Sequence, residues 1–184
     1  MRPNSEEDTM GYSLEAFCKD THDTIAAGGP IEIRIEKVAE KLSELLKNQD
    51  FVNATFDATT PFGKRALYYD PKLDFYVLAH VQEAGKRGTP HSHGDSWAIY
   101  GNASAFTRMT EFSRVNPETD DAAVLEKLST YDIGVGETKA YGPGQIHSTE
   151  HPENAWVIRI VGTKLEEIPR FQFRKFRDKI VEAA

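Results

Sequence analysis

Several things are scarce in this chain, and each scarcity excludes something. Among 184 residues there is one cysteine, Cys18, so no intramolecular disulfide framework exists, and a reducing compartment is the natural setting. No apolar run approaches the roughly 18 residues that a membrane span needs. Basic residues are in the minority, 22 Lys and Arg against 29 Asp and Glu. The formal net charge of −7 argues against nucleic-acid binding and against adhesion to an anionic membrane. The opening stretch MRPNSEEDTM is acidic and polar and does not read as a secretory signal. Internal repeats and low-complexity segments are missing as well. These exclusions leave a cytoplasmic protein of one domain, an enzyme or a small-molecule binder. Its 39% hydrophobic and 28% charged residues are ordinary for a globular fold with a substantial core.

Two textures divide the sequence. Residues 1–50 read as a helical segment. Ser13 is placed to cap a helix through LEAFCKDTHDTI, which the Ala26–Pro30 stretch AAGGP terminates. In the following IEIRIEKVAEKLSELLKNQD, residues Ile35, Val38, Ala39, Leu42, Leu45 and Leu46 recur at three- and four-residue steps and form one apolar face for core packing. Residues 51–184 carry short runs rich in Tyr, Phe, Val and Ile, at 65–70, 73–81, 96–112 and 154–162, punctuated by DPKLD, EAGKRGTP and GPG. Many short strands without helical patterns between them predict a mainly β barrel or sandwich on which the N-terminal helices pack. The charged segment 116–129 reads as a surface loop with a helical turn, and the tail from Glu166 as a last strand followed by a short helix.

Six histidines are present, and two form His91-Ser92-His93. Residues two apart on a strand face the same side, so an H-x-H pair can offer both rings to one ion. A third donor must arrive from elsewhere, and His147, delivered by the turn Gly142-Pro143-Gly144, is the best candidate. Imidazole suits Fe, Zn, Cu, Ni and Mn alike, so the histidines do not choose the metal. Asp95, Glu111 and Glu150 are candidate carboxylate ligands or partners that orient a ligating ring. His22 and His80 have no partner pattern and read as structural, His151, four residues beyond His147, reads as a loop residue or as one that flanks the site, and nothing marks Cys18 as a nucleophile. Tyr100 and Tyr141 are candidate proton donors at a barrel mouth, or packed tyrosines. Arg159, between Val157 and Val161, either points inward at an anion or outward to solvent, and the alternation does not decide.

The glycine spacing around these histidines resembles the two signature motifs of the cupin superfamily. Gly85, five residues, His91, one residue, His93 matches the opening of G-x5-H-x-H-x3–4-E-x6-G. Gly136, five residues, Gly142-Pro143-Gly144, two residues, His147 matches G-x5-P-x-G-x2-H-x3-N, with Gly142 in place of proline and His151 in place of asparagine. The glutamate of the first motif is replaced by Trp97 and Ala98. The resemblance covers residues 85 to 151 and implies a single double-stranded β-helix (jelly-roll) barrel holding a metal on His91, His93 and His147. Three-histidine sites within that superfamily are the mark of the thiol dioxygenases. His91-Ser-His93-Gly-Asp95-Ser96 resembles the H-D-H-T-D-S segment of cysteine dioxygenase, and Trp97-Ala98-Ile99-Tyr100-Gly101 is similar to W-G-x-x-G of the mercaptopropionate dioxygenases. The likeness implies Fe(II), O2 and a small carboxylate-bearing thiol as substrate. Arg65, 26 residues before His91, stands where cysteine dioxygenase grips the substrate carboxylate, and reads equally as a surface arginine on an edge strand. The Ser-His-Tyr relay of those enzymes is absent, since Ala155–Gly162 reads AWVIRIVG. Alternatives are an isomerase, decarboxylase or lyase with Zn, Mn or Ni as Lewis acid, and a non-enzymatic binding cupin. A homodimer paired through sheet edges is a family-level expectation.

Overall fold

The computed structural model describes residues 11–118, 122–163 and 176–179. Helix α1 (Leu14–Ala26) starts where Ser13 accepts a hydrogen bond from the Ala16 amide at 3.2 Å and stops before Gly28 and Gly29, both at positive φ. Helix α2 (Ile31–Lys47) buries the whole expected stripe, Ile35, Val38, Ala39, Leu42, Leu45 and Leu46. Removing each larger side chain from water is worth about 1.5–3 kcal/mol. Asn48 caps a third helix, α3 (Gln49–Thr55), so the helical segment runs past residue 50 and the first strand begins only at Gly63. No helix among the described residues is long and apolar enough to cross a membrane.

Ten strands follow: β1 (Gly63–Asp70), β2 (Phe75–Gln82), β3 (Lys86–Arg87), β4 (Ala98–Ser104), β5 (Thr107–Arg114), β6 (Ala123–Ile133), β7 (Thr138–Tyr141), β8 (Ile146–His151), β9 (Ala155–Val161) and β10 (Phe176–Lys179). One five-stranded sheet has the order β1-β2-β9-β4-β7 and the other β10-β6-β5-β8-β3. Between β2 and β9 the chain changes sheet at each connection except the β5–β6 hairpin. This is the strand exchange of a jelly roll, a mainly β barrel with N-terminal helices. Two expectations need correction. The segment 116–129 is not a loop with a helical turn, because β6 begins at Ala123 and alternates buried Ala123 and Leu125 with half-buried Val124 and Glu126. In the tail, 176–179 forms β10, parallel to β6, and the expected terminal helix lies outside the described residues.

The first sheet is buried on both faces along β2, β9 and β4, while its edge strand β1 is largely exposed. Its outer face, with Val77, Ala79, Ile99, Ala140, Ile158 and Ile160, packs against α1 to α3 in one apolar cluster. Contact with α2 is close enough to need Gly101, where a Cβ would lie 2.7 Å from Leu46 Cδ1 and 2.8 Å from Leu42 Cδ2. The inner face, with Ala98, Tyr100, Tyr141, Val157 and Val161, meets Met109 and Ile133 of the second sheet. His80 and Arg159 take inward positions on the same sheet and line the site.

Candidate metal centre

His91 and His147 face each other across an isolated antiparallel bridge. His91 N–H donates to the His147 carbonyl at 2.9 Å, and His147 N–H to the His91 carbonyl at 3.0 Å. Beyond His91 the backbone leaves the strand and turns at Gly94, whose positive φ and carbonyl contact to the Gly144 amide (2.9 Å) tie the two motif loops together. The pair His91 and His93 therefore sits on a bridge and a turn, with buried Ser92 facing away, and still aims both rings inward. Ring centroids lie 5.3 Å apart for His91 and His93, 4.6 Å for His91 and His147, and 4.9 Å for His93 and His147. One nitrogen of each lies within 4.8 Å of the others.

The donor set suits a divalent ion. His93 and His147 are fully buried, and burial holds the His147 ring far below the ordinary histidine value, neutral with its lone pair available. The Thr89 carbonyl, 3.0 Å from His91 Nδ1, accepts the proton there and leaves Nε2 to face the focus. Tyr141 stacks on the His147 ring at 3.9 Å and 14°, fixing its plane, and its hydroxyl meets Tyr131, which donates to Glu111 at 2.6 Å.

Two further groups reach the same focus. The Tyr100 hydroxyl lies 3.4 Å from His93 Nε2 and 3.3 Å from His147 Nε2. Arg159 places Nη2 3.1 Å from His93 Nε2, with its guanidinium carbon 4.9 Å from the Tyr100 ring centroid. Its Nε is buried without a hydrogen-bond partner, and no acid pairs with it among the described residues. The single lone pair on His93 Nε2 serves either this guanidinium or a metal, so occupation by a metal releases the Arg159 donor.

Arg65 is not at the site. It stands opposite Ala79, on the helix-facing side of β1, is exposed, and donates to the Thr55 carbonyl. Its neighbour Lys64, opposite His80, has the inward parity and lines the cavity instead. The carboxylate candidates are also excluded. Asp95 is exposed in the turn after His93, Glu150 pairs with Arg87 at 2.7 Å, and Glu111 is held by Tyr131, Ser129 and Lys139. His22 is structural as expected, bound to Asp70 at 2.6 Å, and burial pushes the Cys18 thiol up to about 12.

Sequence reasoning missed His80, and it left His151 between a loop and a flank of the site. Both are buried, and both line a cavity of about 290 Å³ that opens from His91, Tyr100 and Arg159 toward Lys64, Lys86 and Arg87. A lone histidine within an apolar strand carries no signal of its own. For His80 the parity of β2 was the only clue, since Phe75, Val77, Ala79 and Val81 belong to the helix-facing core.

No family model matches the chain, and no curated protein does. Solved structures similar to it are cupin and double-stranded β-helix proteins. One is a conserved protein with a double-stranded β-helix domain from Klebsiella pneumoniae, 13% identical, covering 67% of this chain and 89% of its own, with a TM-score of 0.44. A cupin-2 domain protein from Shewanella frigidimarina is 13% identical, covers 64% and 93%, and has a TM-score of 0.42. The DMSP lyase DddQ from Ruegeria pomeroyi is 12% identical, covers 64% and 55%, and has a TM-score of 0.43. Likeness this distant transfers no activity. The strand order and the three converging imidazoles stand on the chain's own geometry.

Proposed function

We infer that the chain is a metal-dependent enzyme acting on a small anionic substrate, and that its reaction is Fe(II)-dependent dioxygenation of a carboxylate-bearing thiol. The observation that carries this reading is Arg159, a cation without an acidic partner among the described residues, aimed at the focus of three imidazoles. A half-buried guanidinium group with no acidic partner among the described residues and an unmatched Nε is costly, and a substrate carboxylate would neutralise it through charge-assisted hydrogen bonds. His91, His93 and His147 would hold the ion, and three neutral ligands leave it its full positive charge together with open coordination positions. Bound iron would supply Lewis acidity and one-electron chemistry toward O2. Tyr100 would hold or donate a proton at its hydroxyl, beside two of the ligating nitrogens. Val157 and Val161 keep that corner apolar and exclude water.

Metal analysis of anaerobically purified protein, followed by oxygen uptake with cysteine and mercapto acids, tests this directly. One metal per chain is expected, with thiol-dependent oxygen consumption that disappears in His147→Ala. Iron-loaded protein that consumes no oxygen with any of these thiols overturns the dioxygenase reading. A second reading is supported by Tyr100 together with the missing Ser-His-Tyr relay: Lewis-acid lyase, isomerase or decarboxylase chemistry with Tyr100 as acid or base. Turnover retained without oxygen would select it. Ligand binding without any turnover would mark a binding module.

A further inference from the structure

The cavity extends well past the metal focus, and its outer half has its own character. Lys64, Lys86 and Arg87 stand at this end, and Arg87 pairs with Glu150. Among the described residues, no Asp or Glu contributes to the lining, although the chain as a whole carries a net charge of −7. Such local concentration of one sign focuses anions into a cleft.

Between the two lysines sits His80, 8% exposed. Its Nδ1 lies 3.4 Å from the Gln82 amide nitrogen, which can only donate, so Nδ1 is the acceptor and Nε2 carries the proton. That Nε2–H is buried in the cavity wall with no hydrogen-bond partner. Burial first, and then the charges of Arg159, Lys64, Lys86 and His151, push the ring down to about 3, so it remains a neutral donor across the physiological range. Neighbouring His151 is oriented by Thr107 at 3.4 Å, and Thr107 donates to Asn102 at 3.0 Å. An unmatched donor beneath two ammonium groups is the complement of an oxyanion.

We propose that this outer half is a second anion subsite, formed by the His80 Nε2–H with Lys64 and Lys86, and that the substrate carries two acidic groups. One is held at Arg159 and the other here. Arg159 pairs with Leu78, and His80 with Val157, so the two anchors lie two residues apart along β9, roughly 7 Å. A short chain of carbon atoms spans that distance. The outer group is a carboxylate or a phosphate-like oxyanion, the two being alike to an N–H donor and an ammonium. The proposal rests on Arg159 as the inner anchor.

Calorimetric titration of the full chain, zinc-loaded and metal-free, with succinate, glutarate and adipate against length-matched monocarboxylates tests it. At least one dicarboxylate should bind tenfold or more tightly than its matched monocarboxylate. Lys64→Gln/Lys86→Gln and His80→Phe should each remove most of that advantage while leaving monocarboxylate affinity within about twofold. Phosphonocarboxylates of the same lengths distinguish a phosphate-like outer group from a carboxylate. Equal affinity for mono- and dicarboxylates in the unaltered protein, a comparison that needs no variant, overturns the proposal. So does an advantage that survives both variants. Loss of monocarboxylate binding in Arg159→Gln upholds the inner anchor whatever the outer half does, and monocarboxylate binding indifferent to Arg159→Gln overturns the inner anchor by itself.

Discussion

On β9, Ile158 and Ile160 turn toward the helices, while Val157, Arg159 and Val161 turn into the barrel. The same division runs through β2, where Val77 and Ala79 meet the helices and His80 meets the cavity, and through β1, where Arg65 and Lys64 part company. Along β2 and β9 both faces are withdrawn from water, but only one is uniformly apolar. The helix-facing side is packed for stability, and the barrel-facing side admits imidazole, phenol and guanidinium groups that packing alone would reject. Burial by itself therefore does not locate chemistry in this molecule. Polar groups whose partners are incomplete do.

That contrast can be broken from either side. Leu42→Ala, on the helix side, should cost about 2–5 kcal/mol through the cavity it leaves, measured by denaturant unfolding, with metal affinity of the folded protein unchanged. His147→Gln, on the barrel side, which keeps most of the buried volume, should do the opposite. Metal affinity should fall at least about 100-fold, roughly 2.7 kcal/mol, in a chelator competition assay, while the metal-free protein unfolds at nearly the same denaturant concentration.

On the barrel side, acid should act through two buried histidines. His80 is held at about 3 and His151 at about 4, both below the ordinary histidine value of 6.5. The unfolded chain then binds protons that the folded chain refuses, so stability is full above pH 6.5 and declines as pH falls toward 4. His80 should account for about 2 kcal/mol of the loss at pH 5, and His80→Phe should flatten the unfolding-versus-pH curve accordingly. The smallest effect is the most diagnostic. Arg159→Gln removes both a charge and a competitor for the His93 lone pair, so zinc should bind about tenfold more tightly, roughly 1.4 kcal/mol, by the same competition assay. Weaker or unchanged zinc binding in Arg159→Gln would show that the guanidinium and the metal do not share that nitrogen.

The helix-side face was the legible one. A stripe at three- and four-residue steps identifies α2 because one face of that helix is wet, and all six stripe residues are buried. The three histidines were legible because the motif glycines fix two turns that bring His91 and His147 into one bridge. Arg159 was not, since alternation is informative only where one side of a strand is solvated. Arg65 failed for a related reason. A spacing of 26 residues places a residue along the chain but does not fix which side of the strand it takes, and one step in parity separates Arg65 on the Thr55 carbonyl from Lys64 in the cavity. His80 and His151 needed the register of β2 with β9 and of β3 with β8, which no local pattern contains.

The reciprocal pair of backbone hydrogen bonds between His91 and His147 has a consequence for how the protein acquires its ion. The segment between them is already closed into a loop by main-chain bonding, so a cation entering the site orders little new chain. Metal-free protein should accordingly be a folded receptacle, unlike domains that collapse only around zinc. Loading can then follow synthesis, with supply in the surroundings deciding which ion takes up residence.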